Sequence, residues 1–451
     1  MYTVEVGRQF LELYNKKTGN NYSALEFFEE EFFPVVFDAE DKLHLMHVHG
    51  SSFFQPAYSR LAKKEDMPVP KYRKQKFLES VEAVKNGETN PHGGVGVGFM
   101  AGGAEETTSG QVSSIDFDLT EESILYSWIG GALGVGFGGG YDFLFQNDEV
   151  NWFLFEGWKY YRKFLNENEA KGRQIETWNG LWICYGLQYL NNLERAYHEF
   201  HTHLGENSKT RSGMLKLDRP EWVKQIFSLA KHFGDEQKRE LIYGYGYGQM
   251  NTTLGFMYLQ LEKVASMADL FDQLVENDPE LSRSEQKRIE DVYETHFSLE
   301  RACSQGGIGV RAIQPKDLKK YTVWTNNKNV KSPKLDKEDH RVTFLTYIIW
   351  IQAMLENDET LQLADEVAEA LINYEKEDER RTKRGNEVEE LWDSTNRQKL
   401  IDKLSAIVQN EPKVAGTINK AVDQLMTEIP QDMYKLFLTL VKFKYHYYRS
   451  N

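Results

Sequence analysis

The chain has 451 residues, 40% of them hydrophobic and 27% charged, with a formal charge of −15 at neutral pH. Its length is roughly two to three times that of a usual domain, and its balance belongs to a folded chain with at least two cores, not to a disordered one. The acidity excludes a generally basic nucleic-acid coat, and two distant cysteines, Cys184 and Cys303, exclude zinc ribbons and disulfide scaffolds.

From the N-terminus, Met1–Val6 carries no basic segment ahead of an apolar run, so the expectation is a cytoplasmic, non-secreted protein. Val6–Lys16 and Ser23–Phe33 read as short helices, the second opened by a capping box of Ser23 and Glu26. Val35–Phe37 and Leu43–His49 read as strands between turn residues. Val95-x-Val97-x-Phe99 and Val112–Leu119 alternate with period two, again a strand signal.

Ser123–Tyr141 carries no charge and tests as a membrane span, with Gly130, Gly134 and Gly138 at the spacing of a transmembrane helix pair. Its glycine density favours a buried element of a domain that does not touch membrane. From about Val150 the apolar period becomes helical: Trp152, Phe155, Trp158, Tyr161 and Phe164, then Trp178 and Trp182, a spacing that means core before it means ligand stacking. Further helices are expected at Glu221–His232, Asn251–Asn277, Ser282–Arg301, His340–Glu356, Thr360–Tyr374, Arg397–Asn410, Val414–Glu428 and Met433–Tyr448. The fold class is α+β: a glycine-rich mixed domain over 1–149 and a large all-α region, made of a helical domain over 150–310, a basic linker over 311–339 and a helical bundle over 340–451.

Several motifs have chemical readings. Gly134-x-Gly136-x-x-Gly139 matches a dinucleotide fingerprint, which needs a strand before it and a helix after it. Because Thr120–Leu133 reads as a helix, a closely packed glycine hairpin competes, as does a loop whose bare amides approach phosphate. Ser109 and Gln111, in a polar segment joining two strands, are either turn residues or hydrogen-bonding groups for a polynucleotide. Asp116 and Asp118 share a strand face about 7 Å apart, a spacing that holds magnesium in nucleases or simply faces solvent. His44, His47 and His49, with His198, His201 and His203, repeat an HxxHxH spacing. A transition-metal site drawing on His47, His49, His198 and His201 competes with plain polar faces.

The sharpest signal is charge against background. Arg60–Lys76 carries seven cations against two acids, including Lys63, Lys64, Arg73 and Lys74. Arg311–Lys334 carries seven against one: Arg311, Lys316, Lys319, Lys320, Lys328, Lys331 and Lys334, with Tyr321 and Trp324 interleaved. Cations for phosphate and aromatics for stacking are what a nucleic-acid groove needs. The alternative is a solvated lysine-rich loop.

A glycine-looped N-terminal domain ahead of a helical bundle resembles the large subunits of type I CRISPR surveillance complexes, and Gly136-Phe-Gly-Gly-Gly-Tyr141 is similar to a glycine-rich segment in some of them. The resemblance implies an N-terminal domain that reads a short motif in target DNA and a helical domain that handles the displaced strand. The cysteine pairs of several members are absent here, and the acidity departs from a simple DNA-holding surface. The expectation is a DNA-binding protein of a prokaryotic antiviral system. The alternatives are a magnesium-dependent endonuclease using Asp116 and Asp118, and an assembly subunit that binds protein partners alone.

Overall fold

The computed structural model describes residues 1–47, 52–54, 56–88, 95–99, 120–234, 239–246, 252–277, 288–295, 307–316, 338–355, 358–377, 382–431 and 433–450. The fold is mixed α+β with a small, largely antiparallel sheet and a helical C-terminal region. Two compact units form, Met1–Leu261 with Leu299–Ile308, and Glu262–Ser298 with Gly309–Asn451. The boundary expected at 149/150 therefore falls inside the first unit. No helix among the described residues is long and apolar enough to cross a membrane.

In the first unit, α1 (Tyr2–Thr18) ends at Gly19, whose φ of 75° suits a residue without a side chain. The capping box forms as the sequence requires: Ser23 Oγ accepts from the Glu26 amide while the Ser23 amide donates to Glu26 Oε2. It opens α2 (Ala24–Phe27), which continues through a π-helical turn (Phe28–Phe32) into α3 (Phe33–Val36). Pro34 cannot donate to the helical ladder, and the π turn lies just before it. Val35–Phe37 is thus the end of a helix and not a strand, because Phe28, Phe32 and Phe37 recur at helical spacing around Trp128 and Phe77.

The strand expected over 43–49 is likewise absent where the chain is described. Lys42–His44 is a 3₁₀ turn capped by Asp41, and the backbone carbonyls of Leu43 and Met46 accept from Gly172 and Ile175. Val95–Phe99 is a turn in place of a strand, since side chains take its backbone groups. Ser127 Oγ accepts from the Val97 amide, Trp128 donates to Val95 O, and Thr3 donates to Val97 O.

After α4 (Pro56–Lys64) and α5 (Val69–Lys85), α6 (Glu121–Ala132) begins at Thr120, whose hydroxyl accepts from the Ser123 amide. The glycine fingerprint then falls on β1 (Val135–Phe137) and its hairpin to β2 (Tyr141–Phe145), behind a helix and ahead of a strand. That context rules out the dinucleotide loop and matches the hairpin reading.

Around this hairpin lie α7 (Asp148–Glu167), α8 (Ile175–Gly186), α9 (Leu193–Thr202) and α10 (Trp222–Phe233). Every residue of α8 is buried, as an apolar, Trp-rich helix enclosed on all sides must be. Its one amide, Asn179, donates to the carbonyls of Ala132 and Gly134 and accepts from Trp158. Trp178 and Trp182 are core.

The all-helical expectation beyond residue 150 fails where seven strands form among the described residues. β3 (Ser208–Arg211) and β4 (Met214–Leu217) form a hairpin, and β5 (Arg239–Gly246) and β6 (Thr252–Gln260) join the main sheet in the order β1-β2-β5-β6-β8, with β8 at Gly307–Ile308. The helix expected from Asn251 starts only at Leu261. The run Leu254–Leu261 is apolar on both faces of a strand, so its period is ambiguous in sequence.

The second unit contains α11 (Leu261–Asn277), the short α12 (Ile289–Val292), and β7 (Tyr293–Thr295) paired with β9 (Ile313–Pro315). The long helix expected over 282–301 thus gives way to a helical turn and a strand among its described residues. Then follow α13 (Glu338–Leu355), α14 (Asp358–Lys376), α15 (Thr382–Trp392), α16 (Arg397–Asn410), α17 (Ala415–Thr427) and α18 (Tyr434–Ser450), close to expectation except for α15, where no helix is expected from the sequence. Trp350 donates to Ile313 O and Tyr293 to Thr346 O, fixing the β7–β9 pair on α13.

Candidate nucleic-acid interface

Antiparallel register decides which side chains of β5 and β6 share a face. Arg239 pairs with Gln260, Leu241 with Tyr258 and Tyr243 with Phe256, so these six lie on one face. Glu240, Ile242, Met257 and Leu259 occupy the other and are buried. On the first face Phe256 is 60% exposed and Tyr258 45% exposed, and Tyr243 is half-buried. Large aromatics directed at water from neighbouring positions of one sheet are unusual without a binding role.

Tyr2 of α1 stands at the edge of this platform. Its ring lies 4.7 Å from Tyr243 and 5.0 Å from Phe256, with Tyr243 and Phe256 5.1 Å apart. Burial, reinforced by the carboxylates of Glu240 and Glu5, pushes the Tyr2 hydroxyl up to about 12, so it stays neutral at physiological pH. Burial also pushes the Glu240 carboxyl up, against the amide of Asn147 that donates to it. The platform therefore offers flat apolar rings, with the cationic Arg239 and the amide of Gln260 at one end.

Three of the seven cations of the first basic island are engaged within the chain. Arg73 is buried, donates to Ala39 O and Ser59 Oγ at 2.8 and 2.9 Å, and has its guanidinium pKa lowered by burial. It holds α4 and α5 to the preceding loop and is not available to phosphate, which corrects its place among the nucleic-acid contacts. Lys74 is 2.9 Å from Glu29 and lies over the Phe33 ring, and Lys76 is 2.9 Å from Glu79. Lys63 and Lys64 remain exposed in the last turn of α4. In the second unit Arg311 and Lys316 are exposed beside β9. Lys319, Lys320, Tyr321, Trp324, Lys328 and Lys331 lie outside the described residues, as do Ser109, Gln111, Asp116, Asp118 and His49.

The described histidines do not assemble. His47 is buried, its Nδ1 3.2 Å from Glu176 Oε1 and its ring edge-to-face with Trp128. This is a polar pair enclosed in the core. His198 is exposed on α9, and His201 is half-buried with its pKa lowered by burial. Among the described residues no group of three His, Cys, Asp or Glu could hold a metal ion.

Phe256 and Tyr258 escaped the sequence reading because residues 251–277 read as one helix, and Tyr243 because no element is expected between residues 233 and 250. A signal was there in Tyr243-Gly-Tyr-Gly246 and Gly255-Phe-Met-Tyr258, where the glycines disfavour helix and the aromatics at alternate positions favour strand. No protein-family model, no curated protein and no solved structure matches the chain.

Proposed function

We propose that the protein binds single-stranded nucleic acid, DNA in the first instance, on the aromatic face of its five-stranded sheet. The observation that carries this reading is the adjacent exposure of Phe256 and Tyr258 beside Tyr243. Bases stack on such rings without regard to sequence, and a sheet face holds side chains at fixed spacing so that successive bases find successive rings. A duplex keeps its base faces stacked inside, so the platform favours unpaired strands. Arg239 and Gln260 supply a phosphate contact and a base-edge contact at one end.

Fluorescence anisotropy with a labelled oligothymidine at low salt tests this. Each stacked base is worth about 1–3 kcal/mol, so Phe256→Ala and Tyr258→Ala should each weaken binding roughly 5- to 150-fold. Undetectable binding by the parent protein, or parent-like affinity in the double variant, overturns the reading. A role in an antiviral surveillance assembly extends the same proposal. It predicts that the purified assembly carries DNA on this chain and loses it with the double variant.

A further inference from the structure

The β3–β4 hairpin of the first unit turns through Ser212 and Gly213, whose φ values of 51° and 77° give the two-residue loop that matches strand twist. Such a loop fixes the register. Arg211 faces Met214, Lys209 faces Lys216, and these pairs exchange the ladder hydrogen bonds. The backbone N–H and C=O of Ser208 and Thr210 therefore point away from β4. On β4 the same register turns the Leu215 backbone outward, where its amide donates to Glu169 O and its carbonyl accepts from Lys171. Along β3 no such neighbour exists among the described residues, so β3 is an edge strand.

Pleating places Leu215, Leu217 and Ala170 on the inner face and Lys209, Arg211, Met214 and Lys216 on the outer one. Lys209 and Arg211 are exposed, and Lys216 is half-buried. Lys171, next to Lys216 in register, extends the row, so three lysines stand abreast about 5 Å apart. Like charges set opposite one another destabilise a hairpin. Asp218, 2.6 Å from Lys209, offsets one cation, and Glu169 lies on the outer face beside Met214. Four cations thus meet two acids, and Lys171, Arg211 and Lys216 have no ion pair among the described residues.

The edge itself decides what can bind it. Its backbone donors alternate with carbonyls, and a phosphate has no proton for the carbonyls, whereas a peptide strand satisfies both. The cations repel the same hairpin of a second copy and favour a strand of opposite charge. We infer that β3 takes up an extended acidic segment of a partner protein as an added antiparallel strand. Lys209 and Arg211 occupy the non-hydrogen-bonded sites of that edge, where facing side chains come closest, so carboxylates at alternate positions meet them. This surface is separate from the aromatic platform, and the inference does not rest on it.

The test titrates the fluorescently labelled full chain with the peptide Glu-Thr-Glu-Thr-Glu-Thr-Glu to millimolar concentration, and with its equally charged isomer Thr-Thr-Thr-Glu-Glu-Glu-Glu. The alternating peptide should bind at least about fivefold more tightly. R211E should weaken it roughly 5- to 10-fold. Thr210→Pro removes the outward donor without touching the ladder to β4, and should cost about tenfold. N-methylation of the peptide's threonine amides should cost as much, and keeps the test decisive if the proline variant melts early. F256A/Y258A should leave peptide binding unchanged. Equal affinity of the two isomers, or full affinity of the N-methylated peptide, would mark a plain polyanion contact and overturn strand addition. No binding of the alternating peptide overturns it as well.

Discussion

Gly7 of α1 and Gly130 of α6 bring two helix backbones into direct contact: a Cβ on Gly7 would lie 2.0 Å from Tyr126 O, and one on Gly130 would lie 1.9 Å from Thr3 O. Of the three glycines at the spacing of a membrane helix pair, Gly130 serves this close crossing within the first unit, while Gly134 and Gly138 lie beyond the end of α6. The crossing also fixes α1, and with it Tyr2 beside the sheet.

In an exposed helix, glycine to alanine stabilises by about 1 kcal/mol. Gly130→Ala should have the opposite sign here, because its methyl meets backbone that cannot rotate away. A loss of about 1–3 kcal/mol in chemical denaturation is expected, and a neutral or stabilised variant would contradict the close crossing.

Arg73 gives a second sign test. Arg73→Lys keeps the charge of the first basic island but cannot reach Ala39 O and Ser59 Oγ together. Stability should fall by about 1–3 kcal/mol, while nucleic-acid affinity and its salt slope hold. Weakened binding at unchanged stability would return Arg73 to the surface role that its neighbours in sequence suggest.

His446 sets an acid limit on the second unit. Burial, then the charges of Lys442 and Arg449, lowers its pKa to about 4. The folded form therefore resists protonation that the unfolded chain accepts near 6.5. The stability it supports is fully present above pH 6.5 and is lost as pH falls toward 4, by about 3 kcal/mol on full titration. His446→Gln should flatten the fall in urea midpoint between pH 6.5 and 4, and an unchanged profile in that variant would remove His446 as its cause.

Much of the fold was legible from residue pattern. The capping box at Ser23, the cap at Thr120 and the C-terminal helices follow from local rules that tertiary structure did not disturb. What misled were segments whose partners lie far away. Thr252–Gln260 is a strand because Arg239–Gly246 pairs with it, and the run by itself leaves helix and strand both open. Arg73 looks like a phosphate ligand among lysines, yet Ala39 and Ser59 claim it from the other side of the chain.

The sheet has one more consequence for anyone dividing the molecule. Its last strand, Gly307–Ile308, joins β6 through Tyr258 and Leu259, yet residues 262–298 belong to the other unit. A fragment stopped at Leu261 would forfeit that strand and bare the edge beside Tyr258, so neither unit is a module that a single cut releases. Exchange of one unit between proteins would need two junctions, and loss of residues near 307 would be felt first at the aromatic face.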